Sequence, residues 1–200
     1  MLKLNKCPGI VRLMETMQDE DTLYYVMEYA ENGDLRSYAL EHGIEVQAKE
    51  IIKKLFIAIE CMHGNGIVHR DIKPENILLN DTLEPLITDF ECSYDLNTNE
   101  KAPEYVGTPA YHSPSQIEGR MTRENVMECD WWAFGCVLDF LFRRQHLFHA
   151  PTEYLTMQKI LNLREMEYPS NTPQWAKEII ESILLEQNYK RAKELLKKLL

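Results

Sequence analysis

His69-Arg70-Asp71-Ile72-Lys73-Pro74-Glu75-Asn76 decides how the rest of this chain is read. The run holds an aspartate, a lysine two positions on and an asparagine five positions on. A carboxylate can orient an attacking hydroxyl and accept its proton, and an ammonium can reach a transferring phosphoryl group. An amide oxygen can join a metal ion that neutralises phosphate charge. Together these residue types at this spacing suit phosphoryl transfer, which asks for positioning and electrostatics more than covalent chemistry.

Working outward, Ile77–Leu79 and Leu86–Thr88 are short β-like runs separated by the turn-forming Asn80-Asp81. Asp89-Phe90 follows thirteen residues after Asn76, at the end of the second run. That position suits a carboxylate ligand for magnesium, and Glu91 adds negative charge beside a site meant for polyphosphate. On the N-terminal side, apolar residues recur from Val46 to His63 at helical spacing (Ala48, Ile51, Ile52, Leu55, Phe56, Ile59, Met62), and Gly64 is expected to end the helix. Before it, residues 10–14 and 22–28 read as a hairpin around Asp19-Glu20-Asp21, and Asn32-Gly33 precedes a short helix starting near Asp34. Beyond Glu91, residues 91–127 are polar with Pro103, Pro109 and Pro114 and read as a long functional loop. Cys129–Phe142 is apolar nearly all round, the pattern of a buried central helix. Three further helices are expected near 152–163, 173–186 and 189–200.

Composition narrows the function classes. Two hundred residues with 44% hydrophobic content are enough for one core. A formal charge of −10 speaks against general nucleic-acid or anionic-membrane binding. No apolar run has the length of a membrane span and no signal or lipidation motif is visible, so a cytoplasmic location is expected. The five cysteines (Cys7, Cys61, Cys92, Cys129, Cys136) form no CxxC pair and are odd in number, so reduced, mostly buried thiols are expected. The histidines show no zinc-ligand spacing. Tyr154, Leu155, Met157 and Ile160 share a helix face for which ordinary packing is the reading, and Lys190–Leu200 reads as a solvated amphipathic helix.

These runs resemble the protein kinase superfamily, serine/threonine type. LYYVMEYAENGDL is similar to a kinase hinge, with Met27 as gatekeeper; VGTPAYHSP resembles the end of an activation segment and its docking loop; CDWWAFGCVLDFLF resembles the buried helix that holds the catalytic loop through Asp130. YAENGDL, GNGIVHRDIKPENILLN, ITDF, YVGTPAY and EYLTMQKIL resemble the 3-phosphoinositide-dependent kinases of the AGC group. The resemblance implies an α+β, protein-kinase-like fold with a mainly helical large lobe (31–200) and only a remnant β-hairpin of the small lobe (1–30), all in one kinase domain. It also implies Asp71 as catalytic base and Lys73 as phosphate clamp. Adenine would meet Glu28 and Ala30, ribose would meet Asp34, and Leu78 would form the floor. Asn76 and Asp89 would hold Mg2+ with ATP as substrate. A protein substrate or docking partner is implied, with no nucleic acid and no membrane insertion.

The pattern is broken in places. Nine residues, MLKLNKCPG, precede the first apolar run, so the glycine-rich loop, the phosphate-binding lysine of the third strand and its glutamate partner are not found in these residues. Lys3 and Lys6 lie too close to the hairpin to substitute. Ser115 stands where a glutamate is expected, which should leave Arg191 buried and unpaired. Glu104 stands where the subfamily carries a phosphorylated serine, with Arg70 as a conceivable partner or plain exposure as the simpler reading. The expectation is a serine/threonine kinase homologue that is weak or inactive as this polypeptide. The alternatives are a pseudokinase docking or scaffold module, or a fragment of a longer active kinase.

Overall fold

The computed structural model describes residues 2–98 and 106–200. The chain starts with a 3-10 turn at Leu2–Leu4 and then forms an antiparallel hairpin of β1 (Leu13–Gln18) and β2 (Leu23–Met27), with a register shift between Leu13 and Glu15. The Asp19 carboxylate closes the turn by accepting from the backbone N–H groups of Asp21 (3.1 Å) and Thr22 (2.8 Å). α1 (Leu35–His42) follows, capped by the Asp34 side chain, which accepts from Ser37 N at 2.9 Å.

α2 (Ala48–Gly64) buries Ile51, Ile52, Leu55, Phe56, Ile59 and Met62, the stripe its spacing predicts. β3 (Ile67–Val68) leads through a 3-10 turn, Pro74–Asn76, into β4 (Ile77–Leu79), which pairs antiparallel with β5 (Pro85–Ile87). β6 (Tyr94–Asp95) returns to pair with β3. A 3-10 turn at Pro109–Tyr111 and α3 (Pro114–Ile117) precede α4 (Glu128–Arg143), in which every residue from Cys129 to Phe142 is buried. α5 (Glu153–Leu161), α6 (Gln174–Ile180), a π-helical turn (Glu181–Leu185) and α7 (Tyr189–Lys197) surround it. Gly135 permits this close packing, because a Cβ there would lie 2.6 Å from Ile183 Cγ2.

The result is the expected mixed α+β fold, a small β region beside a larger helical body. Several expectations need correction. Residues 10 and 11 do not belong to the hairpin: Ile10 bridges Ile87 instead, and Gly9 O and Val11 N bond Ile87 N (2.8 Å) and O (2.9 Å). Gly64 lies inside α2, and Asn65 caps it. The stretch 91–127 is no plain loop, because β6, a 3-10 turn and α3 lie within it. Tyr154 and Leu155 do not pack; they are 68% and 45% exposed, while Thr156 and Ile160 turn inward on the same helix.

The cysteine expectation is also overturned. Cys7 and Cys61 form a disulfide with Cα atoms 5.8 Å apart, while Cys129 and Cys136 are buried free thiols and Cys92 is partly exposed. The two partners stand 54 residues apart, one in the N-terminal segment and one on α2, so no sequence spacing announces the pair. The hairpin itself carries a large exposed apolar surface: Met14, Met17, Leu23, Tyr24, Tyr25, Val26 and Met27 all reach solvent.

Candidate active site

Asp130, on the first turn of α4 and fully buried, organises the catalytic loop. Its carboxylate accepts from the backbone N–H of His69 (2.9 Å) and of Arg70 (2.7 Å), and from His63 Nε2 (2.8 Å). Burial acts to raise its pKa, yet hydrogen bonding and charge from His63, followed by His69 and Arg70, hold it below the ordinary aspartate value. Arg70 adopts φ 67°, a conformation that a non-glycine residue takes only when its surroundings impose it. His69 is fully buried. Its Nε2 donates to Thr88 O (2.8 Å), and its Nδ1 accepts from Asp71 N (3.2 Å), which ties the loop to the end of β5.

Asp71, also buried, is surrounded by polar partners. Lys73 Nζ lies 2.8 Å from Oδ2, Asn76 Nδ2 donates to Oδ2 and to the Asp71 carbonyl at 3.0 Å, and Thr108 Oγ1 donates to Oδ1 at 2.7 Å. Lys73 also donates to Thr108 Oγ1 at 2.7 Å, closing a ring of three side chains. Gly107 is what lets Thr108 come this near: its φ is 94°, and a Cβ there would sit 2.4 Å from Arg70 O.

Asn76 turns its amide nitrogen inward to Asp71, so its oxygen is the end left for a ligand. Thr88 N bonds Asn76 O at 3.0 Å and joins this turn to β5. One residue later Asp89 is exposed at φ 62°, a second imposed left-handed conformation beside the loop. Glu91 is exposed in a turn and does not adopt a positive φ, so the glutamate imposes no left-handed strain there.

Among the described residues no cluster of three or more His, Cys, Asp or Glu side chains is arranged to hold a metal ion. Asn76 and Asp89 end in oxygen donors of the type magnesium takes when water and substrate phosphates complete its shell, with one or two protein oxygens.

The remaining predicted contacts lie across the hairpin junction. Glu28 N donates to Arg12 O at 3.0 Å, and Ala30, buried, accepts from Gly33 N at 3.2 Å. Asp34 spends one oxygen capping α1 and bridges Leu78, which is half-exposed between the fully buried Ile77 and Leu79.

One expectation about the docking loop changes. Arg191 is exposed and pairs with Glu186, so Ser115 leaves no buried orphan charge. The loop is held instead by Ser113 and Gln116, which form a capping box on α3, and by Tyr111 OH, 2.8 Å from His146 Nδ1. Glu104 lies outside the described residues. Arg70 Nε donates to Cys92 O at 2.7 Å, and its guanidinium sits over the Tyr94 ring. Sequence reasoning missed His63, Thr88 and Thr108. For His63 the available signal was a polar side chain on the buried stripe of α2.

Comparison with known proteins agrees with this geometry. The protein kinase domain family matches residues 1–199. The chain belongs to the protein kinase superfamily. It is of the serine/threonine type: the serine/threonine-protein kinase PKH2 of Saccharomyces cerevisiae is 37% identical over 200 residues, covering 92% of this chain and 18% of that protein. The human 3-phosphoinositide-dependent protein kinase 1 is 36% identical over 189 residues, covering 92% of this chain and 33% of that protein. A human protein named putative 3-phosphoinositide-dependent protein kinase 2 is also 36% identical, with 47% of its length covered. The chain therefore spans less than half the length of these kinase relatives. Among the described residues, no helix is long and apolar enough to cross a membrane.

Proposed function

We propose that this chain is a serine/threonine kinase homologue whose catalytic loop is set for phosphoryl transfer from ATP to a protein hydroxyl, and that the 200-residue polypeptide is a weak catalyst. The observation that carries the reading is the ring of Asp71, Lys73 and Thr108 closed by Asn76 and suspended from Asp130. Asp71 Oδ1 accepts from Thr108, and a carboxylate oxygen has capacity for a second donor. A substrate hydroxyl donating there would be oriented and relieved of its proton. Lys73 would turn from Asp71 toward the phosphoryl oxygens. Asn76 and Asp89 would hold magnesium, which when bound neutralises phosphate charge. Glu28 and Ala30 would meet adenine, Asp34 the ribose and Leu78 the adenine floor.

Glu91 is the residue that argues for weak catalysis. It stands two residues after Asp89 and adds charge repulsion near the polyphosphate. The exposed hairpin and the short share of the relatives' length favour a second reading, a segment of a longer active kinase. A docking module is the third.

A phosphotransfer assay with MgATP and a serine-containing peptide mixture, with Asp71→Asn alongside, tests the proposal. The expected result is slow, Asp71-dependent transfer, well below the roughly 1–100 s⁻¹ of typical kinases. Turnover within that range would overturn weak catalysis. Transfer that ignores Asp71→Asn, or none at all, would leave the docking reading.

A further inference from the structure

The Cys7–Cys61 disulfide fastens a particular piece of the molecule. Residues 3–11 lie across α2 and along β5 by a short set of contacts. Leu4 and Ile10 are buried, and Lys3 pairs with Asp95 at the surface. The Asn5 side-chain amide brackets the Leu13 backbone at 3.2 and 3.3 Å, and Gly9 and Val11 bond Ile87. Three buried aliphatic side chains (Leu4, Ile10 and Val11) and a few hydrogen bonds are set against the backbone entropy of nine residues, a near balance that a covalent tie decides. The segment leads directly into β1, and it lies on the strand that delivers Thr88 and Asp89 to the catalytic loop.

The pair is also chemically placed for exchange. Cys7 is 7% exposed, whereas Cys61 is partly exposed at the end of α2, so an incoming thiolate reaches the Cys61 sulfur first. The Asn65 side-chain amide lies 3.5 Å from Cys7 Sγ and 3.8 Å from Cys61 Sγ, a weak donor for a departing thiolate. Cys129 and Cys136 are fully buried and their thiols are pushed well up by burial, so they do not compete.

We propose that Cys7–Cys61 is a reversible thiol–disulfide switch that governs whether the N-terminal segment and the β1–β2 hairpin are locked onto the helical body. The co-reactant is a small thiol of the glutathione class. One thiolate attacks Cys61 Sγ, the S–S bond breaks, and Cys7 leaves and takes up a proton. A second thiol resolves the mixed disulfide, releasing Cys61 as a thiol and the co-reactant as its disulfide, two electrons having passed to the protein.

The test uses the full chain equilibrated in a series of glutathione and glutathione-disulfide ratios. Thiols are counted by alkylation in denaturant and by mass, and amide hydrogen exchange is followed at each ratio. Three alkylated thiols at the oxidised end and five at the reduced end are expected. On reduction, exchange at Val11, Ile87 and the hairpin should accelerate by an order of magnitude or more, with α4 unchanged. The Cys7→Ser/Cys61→Ser double variant should match the reduced protein and ignore the buffer, and unchanged α4 protection shows that it is folded. Five free thiols at every ratio, three at every ratio, or equal exchange in both states would each overturn the switch.

Discussion

Asp130→Ala is the perturbation that bears hardest on the architecture of the site. It strips the acceptor from three donors in a fully buried position: His69 N, Arg70 N and His63 Nε2. Each orphaned buried donor costs about 1–3 kcal/mol, and losing the charged member of a buried pair typically costs about 3–5 kcal/mol in total. Arg70 also loses the contact that holds its φ of 67°. A loss of about 4 kcal/mol is expected, a large fraction of the roughly 5–15 kcal/mol that folds a domain. With a urea slope of about 2 kcal/mol/M, the unfolding midpoint should fall by about 2 M, read from fluorescence of the buried Trp131 and Trp132. Acid provides an independent arm. The folded Asp130 pKa is depressed, so its stabilisation is fully present above the ordinary value of 3.8 and is lost as pH falls through the folded value. Asp130→Asn should remove that part of the acid dependence. A midpoint shift under about 0.5 M for Asp130→Ala would refute the reasoning, since the loop would then not depend on this carboxylate.

Two further substitutions check neighbouring claims. Gly107→Ala forces a Cβ to 2.4 Å from Arg70 O at φ 94°, and should cost about 1–3 kcal/mol in urea unfolding while lowering any Asp71-dependent transfer. Ser115→Glu should change stability by no more than about 0.5 kcal/mol, because Arg191 already pairs with Glu186 at the surface; a clear gain in melting temperature would show that Arg191 does seek a partner in the docking loop.

Much of this was legible in the residues, for reasons that differ by element. α2 and α4 announce themselves because helical burial leaves a periodic or continuous apolar signature. The Asp71, Lys73 and Asn76 set was readable because its members stand within six residues and the turn Pro74–Asn76 is local. What escaped depends on contacts between distant parts of the chain. β3 and β6 are two residues each, too short for a pattern, and pair across residues 67 and 95. Thr108 reaches Asp71 across 37 positions, and His63 reaches Asp130 across 67. The Cys7–Cys61 bond has the same character. Arg191 was misjudged because a family pattern supplied its expected partner, whereas Glu186, five residues away, supplied the real one.

The most direct test of the central claim is titration calorimetry of MgATP into the purified chain, with Asp89→Ala and a magnesium-free run as controls. The account predicts weak but magnesium-dependent binding that Asp89→Ala abolishes, because under the proposed function Asp89 and Asn76 would supply the protein oxygens of the metal–nucleotide site. Absence of heat at millimolar ATP, or binding indifferent to both magnesium and Asp89, would contradict it.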